Sequence, residues 1–152
     1  MKQNKNPISC LTCYDASFAY WFNKAEIDVL LIGDTLGEII QGHKNTLPVT
    51  VENIAYHTAN VSRNLTHCFL MADIPFLQHA TLDKVLFAAE KIMQAGACMI
   101  KLEGGSWLAP TVNKLTELGI PVCAHLGFTP QSIHSFGRAK IVGREQTQAQ
   151  TL

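Results

Sequence analysis

One short pattern recurs along the chain: a run of apolar residues that ends on an ionisable side chain. Its clearest copy occupies positions 29–34 and reads VLLIGD. Later copies end at Asp73, at the pair Lys101 and Glu103, and at His125. Runs of this kind predict strands buried on both faces, as in a parallel sheet. Because the carboxyl ends of parallel strands lie at one edge of a sheet, the repetition predicts that these ionisable side chains meet at one site.

Helical periodicity separates the apolar runs. We predict strands at 8–14, 29–32, 67–72, 97–102 and 120–124. Helices are expected at 16–25, from a cap at Thr50 through Val61, from a cap at Thr81 to Gly96, and from Pro110 to Gly119. In the first helix, Phe18, Trp21, Phe22 and Ala25 recur at helical spacing and are expected to lie on the sheet.

This alternation of strand and helix predicts an α/β protein with a parallel sheet. An eight-stranded barrel of that type takes about 250 residues, and this chain supplies five strand–helix starts. We therefore interpret 1–152 as a single domain, an incomplete (β/α) barrel, in which the polar tail 138–152 leads to missing units. No GxGxxG or P-loop sequence follows any strand, which argues against a dinucleotide or P-loop site.

Composition excludes several classes of partner. Twelve basic and twelve acidic residues give no net charge, so nucleic acid and anionic membrane surfaces are not expected partners. The chain shows neither a signal peptide nor a run of about 18 apolar residues, and we expect a cytoplasmic protein. Among the five cysteines, Cys10 and Cys13 have CxxC spacing, but residues three apart in a strand point to opposite faces. We assign that pair no metal or redox role.

The strand-end residues have a consistent chemistry. Asp34, Asp73 and Glu103 offer carboxylate oxygens, the ligands that Mg²⁺ prefers. Lys101, two residues before Glu103, faces the same side of its strand and can neutralise a substrate carboxylate. Next to a carbonyl, a divalent ion acts as a Lewis acid and lowers the cost of an enolate.

Each of these residues also has a simpler interpretation. An aspartate alone can cap a helix or bind loop amides, Lys101 can be a solvated strand end, and His125 can be structural. Their recurrence on successive strands favours a shared site, to which Asp15, after the first strand, is a further candidate. The remaining histidines have no strand-end position and are expected to be structural or solvated: His43, His57, His67, His79 and His134.

Five motifs, in order, resemble one enzyme family. They are IGDTLG at 32–37, QGH at 41–43 with TLPVT at 46–50, ADIPF at 72–76, KLEGG at 101–105 and PVCAHLGFTPQ at 121–131. From Leu11 to Gly143 the chain resembles the N-terminal portion of ketopantoate hydroxymethyltransferase (3-methyl-2-oxobutanoate hydroxymethyltransferase).

The resemblance implies a Mg²⁺-dependent (β/α)₈ TIM barrel of the phosphoenolpyruvate/pyruvate type, here truncated after about five β/α units. Members of the family are homo-oligomers, usually decamers. They transfer a hydroxymethyl group from 5,10-methylenetetrahydrofolate to 3-methyl-2-oxobutanoate, which gives 2-dehydropantoate on the route to pantothenate and coenzyme A.

The resemblance also implies roles for individual residues. Asp34 and Asp73 would ligate Mg²⁺, and Glu103 would assist. The oxo acid would be held by Asp34, Thr35, Asp73 and Lys101, with His125 close to it. Thr35 stands where the family usually has serine, so the hydroxyl is kept. The family's general-base glutamate lies beyond Leu152, so no catalytic residue is assigned.

Two rival interpretations remain. A non-catalytic truncated remnant would lack the general base, and its unclosed sheet would favour aggregation or association. A sister enzyme of the same superfamily, with C–C lyase or phosphonate chemistry, would have a cysteine in the loop after the fourth strand. Here that loop reads EGGSW at 103–107.

Overall fold

Five parallel strands form one sheet in the computed structural model, which describes residues 2–138 and 141–152. The strands lie side by side in chain order, β1 to β5: Cys10–Thr12, Val29–Ile32, Phe69–Asp73, Met99–Glu103 and Val122–His125. The described helices, α1 to α7, are Ala16–Lys24, Leu36–Ile39, Val51–Ser62, Leu82–Gln94, Ala109–Glu117, Ile133–Phe136 and Gln146–Thr151. Short 3-10 turns occur at Lys2–Asn4, Ser106–Leu108 and Pro130–Ser132. No helix among the described residues is long and apolar enough to cross a membrane.

The strand order confirms the prediction of consecutive parallel β/α units, but the strand ends differ. Asp73, Glu103 and His125 are the last residues of their strands, whereas the sequence placed them just after the strands. The parallel ladders explain the extension, because Asp73 is paired with Lys101 and Glu103 with His125. The ladder register therefore brings these ionisable residues side by side.

The sheet has one covered face. Leu30, Leu70 and Ile100 are at most 1% exposed and pack in a core with helix residues such as Ile54 and Val85. Alternation along the strands directs the other residues away from these helices. We call that second side the open face: Cys10, Thr12, Val29, Leu31, Phe69, Met71, Met99, Lys101 and Cys123.

The prediction that the second strand is buried on both faces is wrong. Val29 and Leu31 are only partly buried, and Phe69 beside them is 39% exposed. The reason is that the described helices pack on the opposite side of the sheet. The open face ends, at the carboxyl edge, in Asp73, Lys101 and Glu103.

The first helix has the predicted bounds but a different buried face. Phe18 and Trp21 are 60% and 66% exposed, whereas Ala19 is fully buried and Phe22 packs partly on the core. This helix packs against α3, and the strand before it, β1, is an edge strand whose three residues are all exposed. Only a narrow stripe of α1 is therefore buried against a neighbouring element.

The structure confirms the N-terminal caps predicted for α3 and α4. Thr50 and Asn53 form a reciprocal capping box at the start of α3, and the Thr81 side chain caps α4. Past α4, Gly96 adopts a left-handed conformation at φ +113°. Pro110 lies in the first turn of α5, as predicted.

In the tail, residues 139 and 140 lie outside the described residues, and α7 is exposed throughout its length.

Candidate active site at the carboxyl edge

Three buried carboxylates gather at the carboxyl edge of the sheet. Asp34 follows β2, Asp73 ends β3 and Glu103 ends β4, and their exposed fractions are 2%, 3% and 5%. Buried carboxylates are uncommon in proteins unless they are paired or functional. The central prediction, that successive strands deliver ionisable groups to one place, is confirmed for these residues.

Asp73 is held on both oxygens. Its Oδ1 accepts a short hydrogen bond from the Lys101 ammonium, and its Oδ2 accepts one from the backbone N–H of Asp34 at 3.0 Å. Burial by itself lowers the pKa of Lys101, but the charges of Asp73 and Glu103 outweigh burial and leave that pKa raised. Lys101 is therefore a fixed positive charge between two carboxylates, and the solvated-end interpretation does not apply.

The surroundings of Asp34 oppose its ionisation. Burial, followed by the charge of Asp73, raises its pKa from 3.8 to about 7, although a hydrogen bond from Gln131 acts in the opposite direction. Asp34 does not cap the short helix that follows it, because the cap residue of α2 is Thr35. The capping interpretation therefore fails for Asp34, whereas Asp73 does bind a loop amide, that of Asp34.

Glu103 and His125 form a second pair. His125 Nδ1 lies 2.9 Å from Glu103 Oε1, and Lys101 Nζ lies 3.9 Å from the same oxygen. The other oxygen of Glu103 accepts the backbone N–H of Gln131 at 3.1 Å. The structure thus joins His125 to the site through Glu103.

Thr35 is anchored by a residue that the sequence did not indicate. Its Oγ1 lies 2.7 Å from the hydroxyl of Tyr14, which is 8% exposed. Burial raises the pKa of that phenol, and Asp73 and Asp34 raise it further, so the phenol stays protonated. Gly33 lies close to the Thr35 hydroxyl. A Cβ at position 33 would be only 2.9 Å from Thr35 Oγ1, so a larger residue there would crowd this hydroxyl.

Gln131 is the second residue missing from the sequence-based site. Its side-chain Nε2 donates to Asp34 Oδ2 and to the carbonyl of Ile74, each at 2.9 Å. Through its side chain and its backbone N–H, Gln131 therefore contacts the carboxylates of both Asp34 and Glu103. It lies within the motif 121–131, but that pattern gave no reason to single it out.

Asp15 is not part of this cluster. Its side chain accepts hydrogen bonds from Ser17 and Phe18 and caps α1 at the exposed surface. Asp15 therefore has the structural role that an aspartate after a strand often has.

The carboxylates suit Mg²⁺ in chemical type but do not form a complete set of ligands. Asp34 and Asp73 fit in kind, because proteins hold Mg²⁺ with one or two carboxylates and leave the other positions to water and substrate. Among residues 2–138 and 141–152, however, no three His, Cys, Asp or Glu side chains converge closely enough to hold a metal ion. Both oxygens of Asp73 and both oxygens of Glu103 already have protein partners, so the metal-binding roles of these carboxylates stay predictions.

Comparison with known proteins identifies the family. The family model described as ketopantoate hydroxymethyltransferase matches residues 1–152. The chain is 53% identical to the 3-methyl-2-oxobutanoate hydroxymethyltransferase of Shewanella amazonensis and 55% identical to that of Acinetobacter baylyi. In both cases 99% of this chain is aligned, covering 57% and 56% of the relative. The chain thus spans little more than half the length of these relatives.

Solved structures agree on the fold. A 2,3-dimethylmalate lyase, described as a member of the PEP mutase/isocitrate lyase superfamily, superposes with a TM-score of 0.67 at 16% identity and covers 90% of this chain and 52% of its own. A phosphonopyruvate hydrolase, solved with oxalate and Mg²⁺, gives 0.58 at 11% identity over 69% of this chain and 36% of its own. The five parallel β/α units are therefore part of a TIM-barrel-type fold.

Because the family model matches the whole sequence and the relatives share more than half of its residues, the chain belongs to the ketopantoate hydroxymethyltransferase family of transferases.

Proposed function

We propose that this site serves hydroxymethyl transfer from 5,10-methylenetetrahydrofolate to 3-methyl-2-oxobutanoate, giving 2-dehydropantoate. The observation that carries the proposal is the buried cluster of Asp34, Asp73 and Lys101 in a member of this family. The names of the relatives supply the oxo acid and the transferred group.

Asp34 and Asp73 are proposed to hold Mg²⁺, with assistance from Glu103. The three buried carboxylates face one fixed ammonium, that of Lys101, so the cluster has excess negative charge that a divalent cation would balance. When bound, Mg²⁺ would act as a Lewis acid on the carbonyl of the oxo acid. A phosphonopyruvate hydrolase of similar fold was solved in complex with oxalate and Mg²⁺, a small oxygen-rich acid and the ion proposed here.

The protein side chains would position the oxo acid. Lys101 offsets the charge of its carboxylate, and Thr35, held by Tyr14, offers a hydroxyl. His125 is fixed through Nδ1 by Glu103 and lies beside the site. The reaction removes a proton from C3 of the oxo acid and forms the bond from C3 to the one-carbon unit. Both bonds from that unit to the folate nitrogens break, one water supplies the new hydroxyl group, and tetrahydrofolate leaves with the protons. The resemblance places the base that removes the proton beyond Leu152, so we assign that step to no residue here.

The test is Mg²⁺-dependent binding of 3-methyl-2-oxobutanoate, measured by calorimetry. We expect binding to the wild-type chain, and loss of binding in Asp73→Asn and Lys101→Met. The matched control is Lys114→Met, which removes an exposed lysine paired only with Glu117 in the described structure. Binding that needs no Mg²⁺ and survives Lys101→Met would contradict the proposal.

A measurement of product formation distinguishes an active transferase from a non-catalytic remnant. For a polypeptide of residues 1–152 alone, we expect turnover to be lower by about 10²- to 10⁴-fold than in a full-length relative, because no residue among these 152 is assigned as the general base. Oxo-acid binding without detectable 2-dehydropantoate would favour the non-catalytic remnant, whereas turnover at the relative's rate would contradict our assignment of the base.

Assembly and location are also proposals. The resemblance implies a homo-oligomer, and an exposed Phe69 on the open face provides apolar surface for association. All five cysteines are free thiols, which supports a reducing, cytoplasmic environment. Sedimentation analysis and cell fractionation test the two proposals.

A further inference from the structure

The three buried carboxylates of the candidate site differ in how their oxygens are used. Both oxygens of Asp73 and both oxygens of Glu103 have hydrogen-bond partners in the protein. Asp34 is held on one side only, where its Oδ2 accepts the side-chain amide of Gln131 at 2.9 Å. Among residues 2–138 and 141–152, no group donates to Asp34 Oδ1, and this oxygen keeps contact with solvent. A cation can therefore reach Oδ1 without displacing a protein group.

The contact from Gln131 to Asp34 is rigid. Gln131 is 6% exposed, and its Nε2 also donates to the carbonyl of Ile74 at 2.9 Å. A flipped amide would place its oxygen against both acceptors, so the orientation of the side chain is fixed. The backbone N–H of Gln131 donates to Glu103 Oε2 at 3.1 Å, which fixes the main chain as well. The Asp34 carboxylate therefore cannot turn freely while Gln131 is in place.

A hydrogen bond on one carboxylate oxygen changes how that carboxylate binds a metal. Oδ2 of Asp34 shares its negative charge with the amide N–H of Gln131 and uses a lone pair for this bond. A cation is then drawn to Oδ1, so Asp34 offers one oxygen instead of two. Lys101 acts on Asp73 in the same way, because its ammonium donates to Oδ1 of that residue.

Mg²⁺ and Ca²⁺ differ in the carboxylates that suit them. Mg²⁺ is small, keeps several waters and binds through one or two carboxylates. Ca²⁺ takes about 6 to 8 oxygens and accepts a carboxylate through both of its oxygens. A site with a single free carboxylate oxygen therefore suits Mg²⁺ better than Ca²⁺.

We propose that Gln131 is a positioning residue that makes this site select Mg²⁺ over Ca²⁺. It holds Oδ2 of Asp34, so that this carboxylate binds the metal through Oδ1 alone. Gln131 acts through Asp34 and is not itself a ligand. The inference rests on the proposed function, because that function supplies the metal.

Competition between metal ions tests the role of Gln131. The chain is loaded with Mn²⁺, whose paramagnetic resonance spectrum reports binding, and the ion is displaced with Mg²⁺ or with Ca²⁺ at one fixed pH. Gln131→Met keeps a long side chain but removes the amide donor, so that Asp34 can turn and offer both oxygens. We expect the ratio of the Kd for Ca²⁺ to the Kd for Mg²⁺ to fall about 5- to 10-fold in this variant.

Gln94→Met is the matched control. Gln94 is exposed on α4, and its Nε2 donates to Glu90 Oε1 at 3.3 Å. The exchange therefore removes the same kind of amide–carboxylate bond away from the site, and we expect the ratio of the two Kd values to stay unchanged.

A second variant guards against a failure to fold. Gln131→Asn keeps a polar amide in the buried position but is one methylene shorter, so it cannot reach Asp34 and the Ile74 carbonyl together. We expect the ratio of the two Kd values to fall in this variant as well. Denaturant unfolding of both Gln131 variants shows that the proteins compared are folded.

The outcomes separate this inference from the proposed function. If both folded variants lose affinity for Mg²⁺ and Ca²⁺ by the same factor, Gln131 only supports the fold, and the inference is wrong while the proposed function stands. An equal fall of the ratio in Gln94→Met also overturns the inference alone. If Mg²⁺ displaces no Mn²⁺ from the wild-type chain, the proposed function fails and the inference fails with it.

Discussion

At Asp34, burial and a neighbouring carboxylate both act against ionisation. Its pKa is raised to about 7, and the Gln131 amide and the Lys101 ammonium offset the effect only in part. A folded-state pKa above the ordinary value of 3.8 means that the folded protein binds the proton more tightly than the unfolded chain. Asp34 therefore lowers stability as the pH rises from about 4 to about 7.

Replacing this carboxylate should stabilise the protein when no metal is bound. In Asp34→Asn the amide oxygen can still accept from Gln131, while the buried charge is removed. We expect the free energy of unfolding at about pH 8 to rise by roughly 2 to 4 kcal/mol, and by clearly less at about pH 5. Denaturant unfolding in the presence of a chelator measures both values. An equal gain at the two pH values would contradict the electrostatic explanation.

Asp28→Asn is the matched control, and its effect on the free energy of unfolding should be opposite in sign to that of Asp34→Asn. Hydrogen bonds from the backbone N–H and the hydroxyl of Ser9 lower the pKa of this exposed carboxylate. A lowered pKa contributes stability above the ordinary value, and that contribution is lost as the pH falls. The Asp28→Asn variant should therefore lose a little stability at neutral pH.

At the scale of the element, α3 shows how local sequence supports the distant site. Thr50 Oγ1 accepts the N–H of Asn53 at 3.2 Å, and Asn53 Oδ1 accepts the N–H of Thr50 at 3.1 Å. The helix buries Ile54 and Val61 against the sheet. Its His57 also lies 2.6 Å from the Tyr14 carbonyl, so α3 helps to position the tyrosine that holds Thr35.

Removing the Thr50 hydroxyl, which caps α3, should lower the stability of the folded protein, whereas removing only the methyl group should not. We expect Thr50→Ala to lower the free energy of unfolding by about 1 kcal/mol, because the first turn of α3 loses a hydrogen-bond acceptor. Thr50→Ser keeps the acceptor and should retain most of the stability. Denaturant midpoints of the two variants give the comparison, and equal losses would assign the effect to the methyl group instead.

At the scale of the whole molecule, the sheet formed by residues 2–138 and 141–152 has an edge strand on each side and an open face. β1 lies at one edge with all its residues exposed, and β5 lies at the other. Unpaired backbone groups and exposed apolar side chains such as Leu11, 41% exposed, are a template for pairing with another chain. We therefore expect this chain to associate in a concentration-dependent manner.

A charge on the edge strand should weaken that association. Leu11→Lys places a solvated ammonium on β1, and we expect its weight-average mass at high concentration to fall toward that of one chain. Leu82→Lys, at the start of α4, makes the same change at a side chain that is also 41% exposed, on a helix that packs on α3 and the inner strand β4. Sedimentation equilibrium compares the two. An equal decrease in both variants would mean that net charge, not the edge, controls association.

The amino-acid sequence determined the order of the elements, the caps of α3 and α4, and the placement of Asp34, Asp73, Lys101, Glu103 and His125 at strand ends. These features depend on contacts between near neighbours or on the fixed periods of helix and strand. The motifs also determined the family, which the comparisons confirm.

Only the tertiary structure decided which side chains of the site touch. The bond from Gln131 to Asp34 joins residues 97 positions apart, and that from Tyr14 to Thr35 joins the segments that follow β1 and β2. The tertiary structure also decided that Phe18 and Trp21 are exposed, because burial depends on which surface a neighbouring element offers. Periodicity shows that a helix has an apolar stripe, but the contact area available at the edge of a sheet determines how much of that stripe is covered.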